Sequence, residues 1–192
     1  MILLITGGSG SGKSEYAERR VQESGLPVCY YLATMEVWGQ EEQKKVERHR
    51  RLRSGKGFRT LEIPRHLEQA KIGTEPSRTA ILLECMTNLA ANELFGSEQD
   101  WEKMSKPQQK QLRLEAEERI MEGIRFLERQ CALLVIVTGQ VGQDGGDYDA
   151  GTRSYIRLLG EINCRIAAMA EETVEVVVGI PCILSGKEVD GT

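Results

Sequence analysis

GGSGSGKS, Gly7–Ser14, follows the aliphatic run Ile2–Ile5 and Thr6 and leads at Ser14 into SEYAERRVQESG, a charged, alanine-containing stretch closed by Gly25. Gly7, Gly12, Lys13 and Ser14 satisfy G-x-x-x-x-G-K-[ST], and a buried strand before the motif with a helix after it is the context the pattern requires. In that setting Gly7, Gly8, Ser9, Gly10, Ser11 and Gly12 form a loop whose backbone N–H groups turn inward around a polyphosphate. Lys13 neutralises β- and γ-oxygens, and the Ser14 hydroxyl is placed to reach Mg²⁺. The motif therefore predicts binding of a nucleoside triphosphate. It leaves open what happens to the phosphate, because P-loops serve kinases, motors and switches alike.

With 192 residues the chain is expected to form a single catalytic domain, 1–192, large enough to bury a core without disulfides or metals. A formal net charge of −4 argues against nucleic acid as an obligate partner. Cys29, Cys85, Cys131, Cys164 and Cys182 are odd in number, widely spaced and mostly beside apolar runs. They read as buried, reduced thiols. The apolar N-terminal stretch is too short for a signal peptide, and no run approaches a membrane span, so a cytoplasmic location is expected.

Short β-rich runs recur at Ile2–Thr6, Val28–Thr34, Phe58–Ile63, Thr79–Met86, Ala132–Gly139 and Thr173–Ile180. Most are continuously apolar, as strands covered on both faces are. Between Gln108 and Gln130, Leu112, Ala116, Ile120, Ile124 and Leu127 make a core stripe at helical spacing. A second long helix is expected over Arg153–Glu172, a helix over PRHLEQA, and an edge hairpin at PCILSG. The alternation predicts an α/β fold of the P-loop NTPase type, with a mostly parallel, doubly wound sheet. Ligands of such sheets collect beyond the carboxyl ends of the strands. That rim would carry the P-loop, ATM (Ala33, Thr34 and Met35) and Glu84, a candidate Mg²⁺ carboxylate together with Ser14. Gly96–Gln108 reads as a loop or frayed helix entry. Gly139–Thr152, with five glycines and three aspartates, reads as a rim loop.

Between the second and third strands lies EEQKKVERHRRLRSGKGFRT, Glu41–Thr60, where five arginines and three lysines surround His49. A solvated basic helix is the plain reading of such a run. Its position near the nucleotide suggests more. Neighbouring cations favour neutral imidazole, which is an effective nucleophile at phosphorus, and they stabilise departing pyrophosphate. His49 is thus a candidate nucleophile toward an α-phosphate, with Arg48, Arg50, Arg51 and Arg53 around the leaving group. The other histidine, His66, stands outside the cluster.

GGSGSGKS, YLAT, KVERHRRLR with FRTLE, ILLECMTNLAANELF, VTGQVG and LLGEINCRIAAMAEETVEVVVGI, in this order, resemble the bifunctional adenosylcobinamide kinase and adenosylcobinamide-phosphate guanylyltransferase family. The resemblance covers almost the whole chain. It implies phosphorylation of adenosylcobinamide with GTP or ATP, Mg²⁺ as cofactor, and transfer of GMP from GTP to adenosylcobinamide phosphate. His49 matches the guanylylated histidine of the family's R-I-x-x-H motif. Ala33, Thr34, Met35, Arg50, Arg51, Leu52, Arg53, Glu62 and Glu84 match nucleotide-contacting positions, and a homo-oligomer is implied. Gly10 stands where arginine is usual, Gly139 and Gln140 replace an amide and a carboxylate, and Phe58 replaces tryptophan. Two alternatives remain at this level: a single-activity kinase or guanylyltransferase of the same family, and a P-loop switch whose hydrolysis controls partner binding.

Overall fold

The computed structural model describes residues 1–36, 55–96, 101–142 and 145–186. The strands are β1 (Ile2–Thr6), β2 (Val28–Ala33), β3 (Phe58–Glu62), β4 (Thr79–Glu84), β5 (Leu133–Val137), β6 (Glu172–Val177) and β7 (Ile180–Ser185). The helices are α1 (Lys13–Glu23), α2 (Met86–Phe95), α3 (Lys106–Glu128) and α4 (Ala150–Met169). One seven-stranded sheet runs in the order β3-β2-β4-β5-β1-β6-β7. All neighbours are parallel except β6 and β7, which form the expected antiparallel edge hairpin.

Alternation along the central strands explains why the sheet is covered twice. Ile2, Leu4, Ile81, Leu83, Leu134 and Ile136 point to one face and meet Leu89, Ala116, Ile120 and Ile162 from α2, α3 and α4. Leu3, Ile5, Ala80, Leu82, Leu133 and Val135 point to the other and meet Tyr16, Ala17 and Val21 of α1. Both sets are buried, so the strand sequences are apolar throughout rather than alternating.

The α3 stripe packs as the spacing requires, with Ala116, Ile120, Ile124 and Leu127 fully buried and Leu112 at its margin. Ser105 precedes it, and the Ser105 N–H donates to Gln108 Oε1 at 2.9 Å, so Pro107 falls in the first turn where no N–H is needed. Arg113, only 4% exposed, pairs with Glu161 of α4, and Arg165 pairs with Glu117 and Glu118. These ion pairs join α3 to α4.

Four expectations are corrected. PRHLEQA forms a single 3₁₀ turn, Leu67–Gln69, not a helix. His66 takes a left-handed φ of 58° at its start and Ala70 returns to extended backbone, leaving Leu67 and Ala70 buried against the core. The fourth strand stops at Glu84, because Met86 already opens α2. The rim loop after β5 ends before Ala150, since Asp149 caps α4 by accepting the Thr152 N–H at 2.8 Å. Finally, only Cys131 is buried; Cys29 and Cys85 are half-buried, while Cys164 on the outer side of α4 and Cys182 on β7 are exposed. All five thiols are free, and burial pushes the Cys131 thiol up to about 12.

Candidate active site

The strand registers gather the site before any side chain is considered. Ala33 stands opposite Glu62 on one side and Glu84 on the other, Glu84 opposite Val137, and Val137 opposite Ile5. The carboxyl ends of β1 to β5 therefore form one row, and Gly7–Gly12 leave it directly into α1. Gly12 takes φ 89° at the start of α1, a left-handed conformation suited to glycine, and its carbonyl accepts the Tyr16 N–H at 3.0 Å. Ser11 N–H donates to the Gly8 carbonyl at 3.3 Å, closing the loop. Gly7 is a glycine for want of space: a Cβ there would lie 2.6 Å from both Ser11 Oγ and the Val176 carbonyl oxygen. Ser9 and Gly10 are exposed at the loop's tip.

Lys13 Nζ donates to the Gly8 carbonyl at 3.1 Å, folding the ammonium back over the loop. Ser14 Oγ donates to Glu84 Oε1 at 2.5 Å, which joins the first turn of α1 to the end of β4 across the intervening β5. Glu84 Oε2 and Ser11 Oγ are buried with no hydrogen-bond partner. A divalent cation fits this donor set: one hydroxyl and one carboxylate, both hard oxygen ligands, with an acceptor left over that burial makes costly to leave unpaired. Ser14 and Glu84 are the residues that would hold Mg²⁺.

Thr34 organises the neighbouring end of β2. Its hydroxyl donates to the Cys85 carbonyl at 2.8 Å and accepts the Cys85 N–H at 2.7 Å, while its own N–H bonds the Glu84 carbonyl at 3.0 Å. Asn92 of α2 then donates to the carbonyls of Thr34 and Pro64, at 2.8 and 2.9 Å. The amide thereby ties the ends of β2 and β3 to α2. Thr34 is fully buried, whereas Met35 is half-buried and Glu62 is exposed at the end of β3. Of the sequence candidates, Gly7 to Ser14, Ala33, Thr34, Met35, Glu62 and Glu84 thus share one rim. His49, Arg50, Arg51, Leu52 and Arg53 lie outside the described residues.

Three features escaped the sequence reading. Asn92 sits in a helix, Met86–Phe95, that carries no motif of its own. Gln140, one of the departures noted above, donates to Glu175 Oε1 at 2.5 Å, reaching from the end of β5 past β1 to β6. The β6–β7 turn also lies against the loop, with Gly179 N–H donating to the Ser11 carbonyl at 2.8 Å.

A parallel α/β sheet with a glycine loop running into a helix, a lysine over that loop and a serine–carboxylate pair at its base define a P-loop nucleotide-binding protein. The chain belongs to the cobinamide kinase / cobinamide phosphate guanyltransferase family, whose profile matches residues 3–184. It is 33% identical over 182 residues to the bifunctional adenosylcobalamin biosynthesis protein CobU of Salmonella typhimurium, covering 94% of this chain and 97% of the relative. It is 30% identical over 184 residues to the corresponding protein CobP of Pseudomonas aeruginosa, covering 96% and 97%. Among solved structures, the flagellar accessory protein FlaH of Methanocaldococcus jannaschii aligns with a TM-score of 0.49 at 13% identity, over 100% of this chain and 80% of that one. Among the described residues no helix is long and apolar enough to cross a membrane.

Proposed function

We propose that this chain phosphorylates the hydroxyl of adenosylcobinamide with GTP or ATP and transfers GMP from GTP to the resulting phosphate, through a covalent intermediate on His49. The observation that carries the reading is the Ser14–Glu84 bond at the foot of a complete P-loop, in a chain that matches the family nearly end to end. In the kinase step the backbone N–H groups of the loop and Lys13 hold the β- and γ-phosphates in line with the substrate hydroxyl. That hydroxyl forms a bond to the γ-phosphorus, loses its proton and displaces the nucleoside diphosphate. When bound at Ser14 and Glu84, Mg²⁺ supplies additional neutralisation of the phosphate oxygens.

In the transfer step an imidazole nitrogen of His49 attacks the α-phosphorus of GTP and pyrophosphate leaves. The phosphate of the corrinoid then attacks the same phosphorus, breaking the P–N bond and forming a diphosphate bridge. Arg50, Arg51 and Arg53 supply positive charge next to this histidine in sequence, and imidazole is a good nucleophile and leaving group at phosphorus near neutral pH. The reaction is expected in the cytoplasm, where both nucleotides are supplied.

Incubation with Mg²⁺ and GTP labelled at its α-phosphate, followed by denaturation, tests the covalent step. Acid-labile, alkali-stable label on the protein, absent from His49→Ala, is the expected outcome. A wild-type protein that binds GTP yet takes no label would remove the transferase half and leave a kinase.

A further inference from the structure

β4 ends at Glu84 and α2 begins at Met86, so Cys85 alone joins the carboxylate that faces Ser14 to the helix behind it. The ladders to β2 and β5 both stop at Glu84, and a junction residue without a strand beside it must find another partner for its main chain. Thr34, the residue after β2, takes over that role with its side chain. Its hydroxyl accepts the Cys85 N–H at 2.7 Å and donates to the Cys85 carbonyl at 2.8 Å, while its own N–H donates to the Glu84 carbonyl at 3.0 Å. One residue therefore grips the Glu84–Cys85 peptide unit at both its oxygen and its N–H. Thr34 is in turn braced by Asn92, whose amide donates to the Thr34 carbonyl at 2.8 Å and to the Pro64 carbonyl at 2.9 Å.

The side chain of Glu84 shows what this grip serves. Oε1 accepts the Ser14 hydroxyl, and Oε2 is buried with no partner. No side chain steers that second oxygen, so its direction is inherited from the main chain beneath it. Thr34 is fully buried, with its donor and its acceptor both engaged by Cys85, which leaves it no surface for a phosphate. We propose that Thr34, braced by Asn92, is a positioning residue that aims the free oxygen of Glu84 at the divalent cation. Its place on the rim then bears on the nucleotide through Glu84 and the metal, not by contact. Groups behind a metal ligand set how the ligand meets the ion, and losing one typically weakens metal binding by about 10–100-fold.

The proposal rests on Ser14 and Glu84 as the residues that hold Mg²⁺, and the experiment separates the two claims. Mn²⁺, which takes the same hard oxygen ligands, is titrated into the equimolar complex of the whole chain with a non-hydrolysable GTP analogue, and free Mn²⁺ is read by EPR. Affinity for the analogue in EDTA is measured beside it. Thr34→Val keeps the shape of the side chain and removes the hydroxyl. It is expected to weaken Mn²⁺ binding about tenfold and to leave affinity for the analogue in EDTA unchanged. Thr34→Ser keeps the hydroxyl and is expected to bind Mn²⁺ within about twofold of wild type. Asn92→Ser, which removes the brace alone, is expected to give a smaller loss, and it carries the test should Thr34→Val not fold. Thr79→Val controls for lost stability: Thr79 is also fully buried, at the far end of β4, and its hydroxyl donates to the Glu75 carbonyl at 2.8 Å. This control is expected to bind Mn²⁺ as wild type does. Wild-type Mn²⁺ affinity in Thr34→Val, or in Asn92→Ser where that variant carries the test, would overturn the proposal. An equal loss in Thr79→Val, or a Thr34→Ser chain no better than Thr34→Val, would do the same. A Glu84→Gln chain that binds Mn²⁺ as tightly as wild type would instead overturn the metal reading, and the positioning role with it.

Discussion

On the β4 side of the P-loop, Ser14, Glu84, Thr34, Cys85 and Asn92 are linked by hydrogen bonds among polar groups, Thr34 fully buried and the others half-buried. On the β6 side, Val177, Val178 and Ile180 meet water with little but carbon, and the turn is held to the loop by the backbone bond from Gly179 to Ser11. Moving charge between phosphates requires fixed dipoles and carboxylates in a region of low dielectric, where each is worth several times its value in water. Exposed carbon at a hairpin corner supplies none of this.

Glu84→Gln is expected to strike chemistry far harder than binding. Phosphoryl transfer at saturating nucleotide is expected to fall about a hundredfold or more, comparable to losing one electrostatic contact to a transition state, while metal-free nucleotide affinity stays near wild type. Steady-state rates set beside calorimetry would show it, and a matched loss in both would break the distinction between the two sides. Gly7→Ala should couple them instead. Its Cβ meets the Val176 carbonyl at 2.6 Å, so the hairpin must shift away from the loop. A destabilisation of about 2 kcal/mol is expected from overpacking, seen as a lower Tm and weaker nucleotide binding together.

The smallest expected effect lies beneath the β6 side, where Arg20 of α1 forms two bonds, of 2.7 and 2.8 Å, to the Glu172 carboxylate at the start of β6. These bonds hold the Glu172 carboxyl below its ordinary value of 4.5. A depressed carboxylate adds stability above its unfolded value and loses it as pH falls through the folded one. Glu172→Gln should therefore cost about 1 kcal/mol at neutral pH, with the gap to wild type closing below pH ~4, as read by urea unfolding across pH. A gap that persists at low pH would assign the loss to packing.

The fold was legible because both faces of the central strands are covered, which makes runs such as ILLIT and LLVIV continuously apolar. The P-loop was legible because its glycines answer to backbone geometry that few other residues satisfy. Glu84 could be placed from the apolar run before it, since a strand of known direction delivers its last residue to the rim. Asn92 could not, because an amide inside an ordinary helix looks the same whether it faces water or clamps two strand ends. The PRHLEQA turn was misread for a related reason: Leu67 and Ala70 suit a helical face, but they are buried equally well by one 3₁₀ turn. Val178, which takes φ 45°, gave no local sign either, since a valine run signals a strand and not the strained corner at which this one ends.

β1 finds its partners only in the far part of the chain, with Ile2 opposite Leu134 and Leu3 opposite Glu172. During synthesis the segment that carries the P-loop leaves the ribosome before β5 and β6 and waits, unpaired and strongly apolar, until they have followed. Distant pairings of this kind close late and lengthen the time during which sticky strands stand exposed. The phosphate-binding loop of residues 7–14 therefore gains the sheet that supports it only when β5 and β6 have joined β1.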